Sequence, residues 1–158
     1  MAPEVWFLII MGLVIFNYLF SNIIDYLNHK NWKDEIPSEL KDFYDKKKYK
    51  QAKLYALSKN KVGLLSSSIS FLLLVSLLVF NGYGYIDQLV KSFSLNLFLP
   101  FEINTSFTES GIFFLILFTL NLIISIPFSY YNTFVIEENF GFNKTSKSTF
   151  FFDIIKSS

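Results

Sequence analysis

Three stretches of the chain contain no Asp, Glu, Lys or Arg: residues 5–24, 62–86 and 110–136. A helix that crosses the hydrocarbon of a bilayer needs about 20 consecutive apolar residues, so each stretch predicts one membrane span. The spans fall at about 5–24, 62–80 and 111–128, with Asn81-Gly82 and Pro127 marking exits. The first stretch could also be read as a secretory signal. It lacks a basic leading region, and no small-residue cleavage pattern follows Ile24, so it is read as a retained span.

Between the first two spans the apolar residues recur at helical spacing: Leu40, Phe43 and Tyr44, then Tyr49, Ala52, Tyr55 and Ala56. Pro37 suits the first turn of the earlier helix. From Asp45 to Phe80 the sole breaker is Gly63, which predicts one helix of about 35 residues and about 50 Å that begins before the membrane. Gly63, Ser67 and Ser70 give that helix a face of small residues suited to close packing. Asn17 and Ser21, and Asn121, Ser125 and Ser129, form rows four residues apart inside the spans; they are expected to bond between helices or to face a hydrated cavity. Residues 91–101 mix Phe93, Leu95, Leu97, Phe98 and Leu99 with Ser and Asn, as an interfacial segment would. The expected fold is an all-α, polytopic membrane bundle with three spans, a helical extension at the second span, and a C-terminal segment leading into a fourth.

Composition agrees with this reading: 52% of the 158 residues are hydrophobic, 20% are aromatic, and 20 are Phe. The net charge of +1 suggests no nucleic-acid or strongly acidic partner. The distribution of charge is more telling. Residues 25–61 carry ten lysines and six acids, whereas 81–109 carry Lys91 against Asp87, Glu102 and Glu109. By the positive-inside rule 25–61 and the segment 129–158 are cytoplasmic, and the N-terminus and 81–110 lie outside. An integral membrane location is expected, in a bacterial inner membrane or, in a eukaryote, in the endoplasmic reticulum.

Little catalytic chemistry is on view. There is no cysteine, hence no disulfide and no thiol nucleophile, and the single histidine, His29, leaves no two-histidine zinc site within the chain. His29 is expected in an interfacial loop. Glu137-Glu138 is the most visible carboxylate pair, yet adjacent helical residues point about 100° apart, and a structural juxtamembrane role is expected. Gly82-Tyr83-Gly84 lacks the lysine of a phosphate-binding loop.

Two stretches do carry a recognisable pattern. The run Ile126-Pro127-Phe128-Ser129-Tyr130-Tyr131-Asn132-Thr133-Phe134-Val135-Ile136-Glu137-Glu138-Asn139-Phe140-Gly141-Phe142-Asn143-Lys144, followed by an aromatic-rich segment with Asp153 and Lys156, resembles the CAAX prenyl endopeptidase family. The stretch from Ile36-Pro37-Ser38-Glu39-Leu40 through Tyr49-Lys50-Gln51-Ala52 to Tyr55 and Lys59 resembles that family's first cytoplasmic loop.

The resemblance implies a polytopic zinc metallopeptidase whose helices enclose an intramembrane chamber, with a His-Glu-x-x-His motif and a distal Glu at the metal. It implies as partners the lipid bilayer, a C-terminal catalytic domain, and peptide or prenylated protein substrates. This sequence has no such motif and stops at Ser157-Ser158, where the family pattern enters its next span. The chain is therefore expected to be the N-terminal membrane domain, with no catalytic or metal residue of its own and zinc belonging to the full-length family. Pro127, Phe128, Glu137, Glu138, Gly141, Phe142, Asn143, Lys144, Asp153 and Lys156 are its matching structural residues. Residues 134–144 are expected to tie the domain to the catalytic part and to be loosely ordered without it. The alternative reading is a freestanding membrane protein acting through protein partners; a transporter or channel would want intramembrane charges, which the spans lack.

Overall fold

The apolar runs become helices longer than the runs themselves. The computed structural model describes residues 2–33, 35–37, 45–92 and 105–157. Its regular elements are α1 (Pro3–Lys30), α2 (Lys46–Val79), α3 (Gly82–Ser92), α4 (Thr105–Tyr131) continued by a π-helical segment (Asn132–Glu137), and α5 (Lys147–Ser157). The runs Pro3–Lys30, Lys46–Val79 and Ser106–Glu137 are each long and apolar enough to cross a membrane. At 28, 34 and 32 residues they measure about 42, 51 and 48 Å, against a hydrocarbon core of about 30 Å. The protein is an all-helical integral membrane protein.

Local chemistry sets the helix ends. Pro3 and Glu4 open α1 and Lys30 closes it, so the Glu4 and Lys30 charges suit the helix dipole at the two ends. Asp45 caps α2: its carboxylate accepts from the Lys48 amide at 2.7 Å and its carbonyl from the Tyr49 amide at 3.0 Å. The turn from α2 to α3 is tight. Asn81 takes a left-handed φ of 53°. A Cβ on Gly82 would stand 2.5 Å from Leu77 Cδ2 and 3.0 Å from Leu77 Cα, so any larger residue would have to displace Leu77. Ser146 caps α5, its hydroxyl accepting from the Thr149 amide at 3.1 Å.

The contacts divide the chain into two units, one formed by Met1–Phe16 with Ser68–Ser125 and the other by Asn17–Ser67 with Ile126–Ser158. In the first, Ile86 and Val90 of α3 are buried; in the second, Tyr49, Ile136 and Phe150 are. No residue of α1 is buried within these contacts, and it carries a row of exposed Leu, Ile and Phe side chains.

Several expectations are corrected. Pro127 does not end a helix: α4 runs through it to Tyr131 and on into the π-helical segment. The proline ring removes one backbone donor and crowds the preceding turn, yet the helix beyond it is completed. His29 lies in the last turn of α1, not in a loop. Residues 81–109, read as a loop, include the helix α3, whose Ile86 and Val90 sit one turn apart and inward while Lys91 bonds Asp87 at 2.7 Å. Among the described residues the polar rows show no bond between helices: Ser125 donates to Leu122 O of its own helix at 3.2 Å, and Asn17, Ser21, Asn121 and Ser129 are exposed. The small-residue face of α2 is open as well, because a Cβ on Gly63 would meet nothing within 4 Å, and Ser67 donates to Leu64 O of the same helix. The helix suggested around Leu40, Phe43 and Tyr44 lies outside the described residues. So do residues 93–101 of the interfacial segment, and Ser158.

Candidate functional site

The matched residues gather where the last apolar run ends, all of them in the second unit. After the π-helical segment the helix closes on a glycine. The Phe142 amide donates to Glu137 O at 2.8 Å and the Gly141 amide to Glu138 O at 3.0 Å, and Gly141 takes a φ of +76°. This is the hydrogen-bond pattern of a left-handed glycine stop, in which a side chain would be strained. It reverses the chain and sets Phe140 and Phe142 beside one another.

Both rings land on α2. Tyr55 meets Phe140 edge-on at 5.4 Å and Phe142 at 5.0 Å between ring centroids. The Lys59 ammonium donates to Glu137 Oε1 at 3.1 Å, the Tyr55 hydroxyl reaches the same oxygen at 3.5 Å, and Gln51 Nε2 reaches Phe140 O at 3.5 Å. Gln51, Tyr55 and Lys59 follow each other at four-residue spacing, so one stripe of α2 makes every one of these contacts. Lys59 precedes the apolar stretch that starts at Val62. Its pKa is raised above the ordinary lysine value by the bond to Glu137 first and by Tyr55 second, with partial burial opposing. The side chains of Lys59 and Glu137 keep 41% and 28% of their exposure, so the ion pair contributes at most about 1 kcal/mol. The two aromatic contacts add about 0.5 to 1.5 kcal/mol each beyond the area they bury.

A neighbouring stripe of α2 holds the chain that leaves α1. Lys53 Nζ donates to Trp32 O at 2.9 Å, and the Tyr49 hydroxyl donates to Lys33 O at 3.2 Å. On the other side of the glycine stop, Asn143 Oδ1 accepts from the Thr145 amide at 2.8 Å and leads into α5. There Phe150, 8% exposed, packs edge-on against Tyr130 at 5.8 Å and Phe134 at 5.4 Å.

The structure thus joins Glu137, Phe142 and the Gly141 turn to Tyr55 and Lys59 of the earlier matched stretch. It leaves Glu138, Lys144, Asp153 and Lys156 exposed on the surface, with Pro127 exposed and Phe128 half-buried on α4. Residues 134–144, expected to tie the domain to the catalytic part and to be loosely ordered without it, have Glu137, Phe140 and Phe142 engaged within the chain. Gln51, Tyr55 and Lys59 lay in the earlier matched stretch without a role of their own; their four-residue spacing along a lysine-rich helix was the signal available.

A metal does not fit this arrangement. Among the described residues no group of three or more His, Cys, Asp and Glu side chains could hold an ion. His29 Nδ1 is shielded and without a hydrogen-bond partner, and it belongs to no such group.

This is a polytopic helical membrane domain with a latched juxtamembrane segment. The family model described as CAAX prenyl protease N-terminal, five membrane helices, matches residues 25–158. The chain belongs to that family and is its N-terminal membrane domain. Similar proteins include the probable CAAX prenyl protease 1 of Schizosaccharomyces pombe, 30% identical over 164 residues that cover 96% of this chain and 33% of its relative. The CAAX prenyl protease 1 of Saccharomyces cerevisiae is 29% identical over 157 residues, 96% of this chain and 34% of that one. The human CAAX prenyl protease 1 homolog is 31% identical over 121 residues, 77% of this chain and 25% of its own length. The chain spans about a third of the length of the first two. No solved structure matches it.

Proposed function

We propose that the chain supplies wall and substrate access to the intramembrane chamber of a zinc metalloendopeptidase that trims prenylated or other peptide carboxyl termini. The metal and the catalytic base would come from sequence corresponding to the rest of its relatives' length. In this reading residues 25–61 and 129–158 face the cytoplasm, as the lysine asymmetry favours, and the eukaryotic relatives favour the endoplasmic reticulum over a bacterial inner membrane. The observation that carries the proposal is the junction at Glu137. Two stretches that match the family, 78 residues apart, meet there through Lys59, so the segment leaving the last span is aimed by contacts inside this domain. Such a junction would present a preset edge to a catalytic domain.

The test is reconstitution. The chain should be joined in frame to the C-terminal two thirds of the S. pombe relative and assayed on a prenylated peptide, beside each part alone. Cleavage by the joined protein, with neither part active, is the expected result. Cleavage by the 158-residue chain alone, or one tightly bound zinc per chain in metal analysis, would overturn the reading.

A further inference from the structure

The first unit holds a cavity of about 440 Å³ between α3 and the first turns of α4, lined by Tyr83, Asp87, Lys91, Glu109, Phe113 and Phe114 together with two serines. That is in the range of small-ligand sites, about 300 to 1,000 Å³. Its place along the chain defines its setting. The apolar run of α2 gives out by Val79 and that of α4 starts after Glu109, so the cavity lies at the boundary of the hydrocarbon, where lipid headgroups are.

The charges within it are unevenly matched. Lys91 and Asp87 pair at 2.7 Å and remain 57% and 48% exposed. Glu109, half-buried, makes no hydrogen bond or ion pair among the described residues. It lines the cavity with the pair, and the Lys91 pKa is raised by the bond to Asp87 first and, more weakly, by the charge of Glu109. Beside this unmatched anion stand three aromatic rings, and Phe113 and Phe114 set their planes 82° apart with centroids at 5.7 Å. An unmatched carboxylate beside aromatic faces suits an organic ammonium ion. Lys91, the sole lysine of this unit, is placed to meet a phosphate by turning from Asp87.

We infer that this cavity binds a choline-type zwitterion, its ammonium against Glu109 and the rings and its phosphate against Lys91, supplied by the headgroup of a membrane phospholipid. A purely anionic headgroup would meet two carboxylates against one lysine.

The chain, purified in detergent and stripped of lipid, should be titrated with short-chain phosphatidylcholine, phosphatidylglycerol of the same chains, and soluble phosphocholine, with binding read by native mass spectrometry. Phosphatidylcholine should occupy one site about tenfold more tightly than phosphatidylglycerol. Glu109→Gln should erase that preference by weakening phosphatidylcholine alone. Phe113→Ala should weaken it too, by removing one ring. Phosphocholine binding as tightly as the lipid would support the site and assign it to a soluble phosphoester. Equal affinity of the unaltered chain for the two lipids, or a preference that survives Glu109→Gln, would overturn the assignment; the first needs no variant to fold.

Discussion

The two units of this domain are stabilised in different ways. The unit of Met1–Phe16 and Ser68–Ser125 carries one lysine against four acids, and the unit of Asn17–Ser67 and Ile126–Ser158 carries 13 lysines against nine. In the first, polar contacts such as Lys91 to Asp87, Ser110 to Ser106 O and Thr119 to Leu115 O are local. In the second they span 78 residues from Lys59 to Glu137 and 89 from Gln51 to Phe140, and aromatic rings accompany them. The solvent explains the contrast. Lipid tails are as apolar as leucine, so helices in the hydrocarbon gain little by burying apolar faces against each other, and a hydroxyl such as that of Thr119 returns to its own backbone. Where water reaches the chain, burying Tyr49, Ile136 and Phe150 is favourable, and long-range contacts form around them.

That contrast can be broken most directly at Phe150. Truncation to Ala removes a buried ring from between Tyr130 and Phe134, and should cost about 3 kcal/mol. Thermal unfolding in detergent should show it, with faster hydrogen exchange in α5. Tyr55→Ala should come next, at about 2 kcal/mol, since it removes two ring contacts and the hydroxyl at Glu137. Proteolysis between 138 and 146 should accelerate in parallel, and an unchanged rate would mean that the glycine stop holds its shape without α2. Gly141→Ala forces a side chain into a φ of +76°, which should cost about 1 to 2 kcal/mol with exposed surroundings and no other lost contact. At the small end, Asp87→Asn breaks an exposed pair one helical turn apart and should shift the unfolding temperature less than any of the changes above, because solvent screens the pair. A larger loss would show that α3 is held by more than its own helix and the burial of Ile86 and Val90.

Gly63→Ala sharpens the comparison from another side. Alanine favours a helix interior over glycine by about 1 kcal/mol, and a Cβ there would meet nothing in this chain. The variant should be neutral or more stable here. A lower yield of the protein joined to its catalytic portion would then mark the small-residue face as the surface that portion packs on.

What the sequence determined by itself is local. Three uncharged runs were sufficient for three crossing helices, because span length and hydropathy are properties of consecutive residues. Asp45 and Asn81-Gly82 bounded α2 at 34 residues by capping and turn chemistry that acts within a few positions. The family was legible for the same reason, its pattern lying in two short blocks. Tertiary structure decided which residues those blocks bring together. That Glu137 answers to Lys59 and Tyr55, and that Phe142 rests on Tyr55, depends on how the chain returns after the third apolar run. Spacing within either block cannot state it. Nor could periodicity tell that Pro127 stays inside a continuing helix, or that the face through Gly63 is left open. Lipid and protein offer an apolar side chain nearly the same environment, so the pattern that reveals a span is silent on which of its sides is packed.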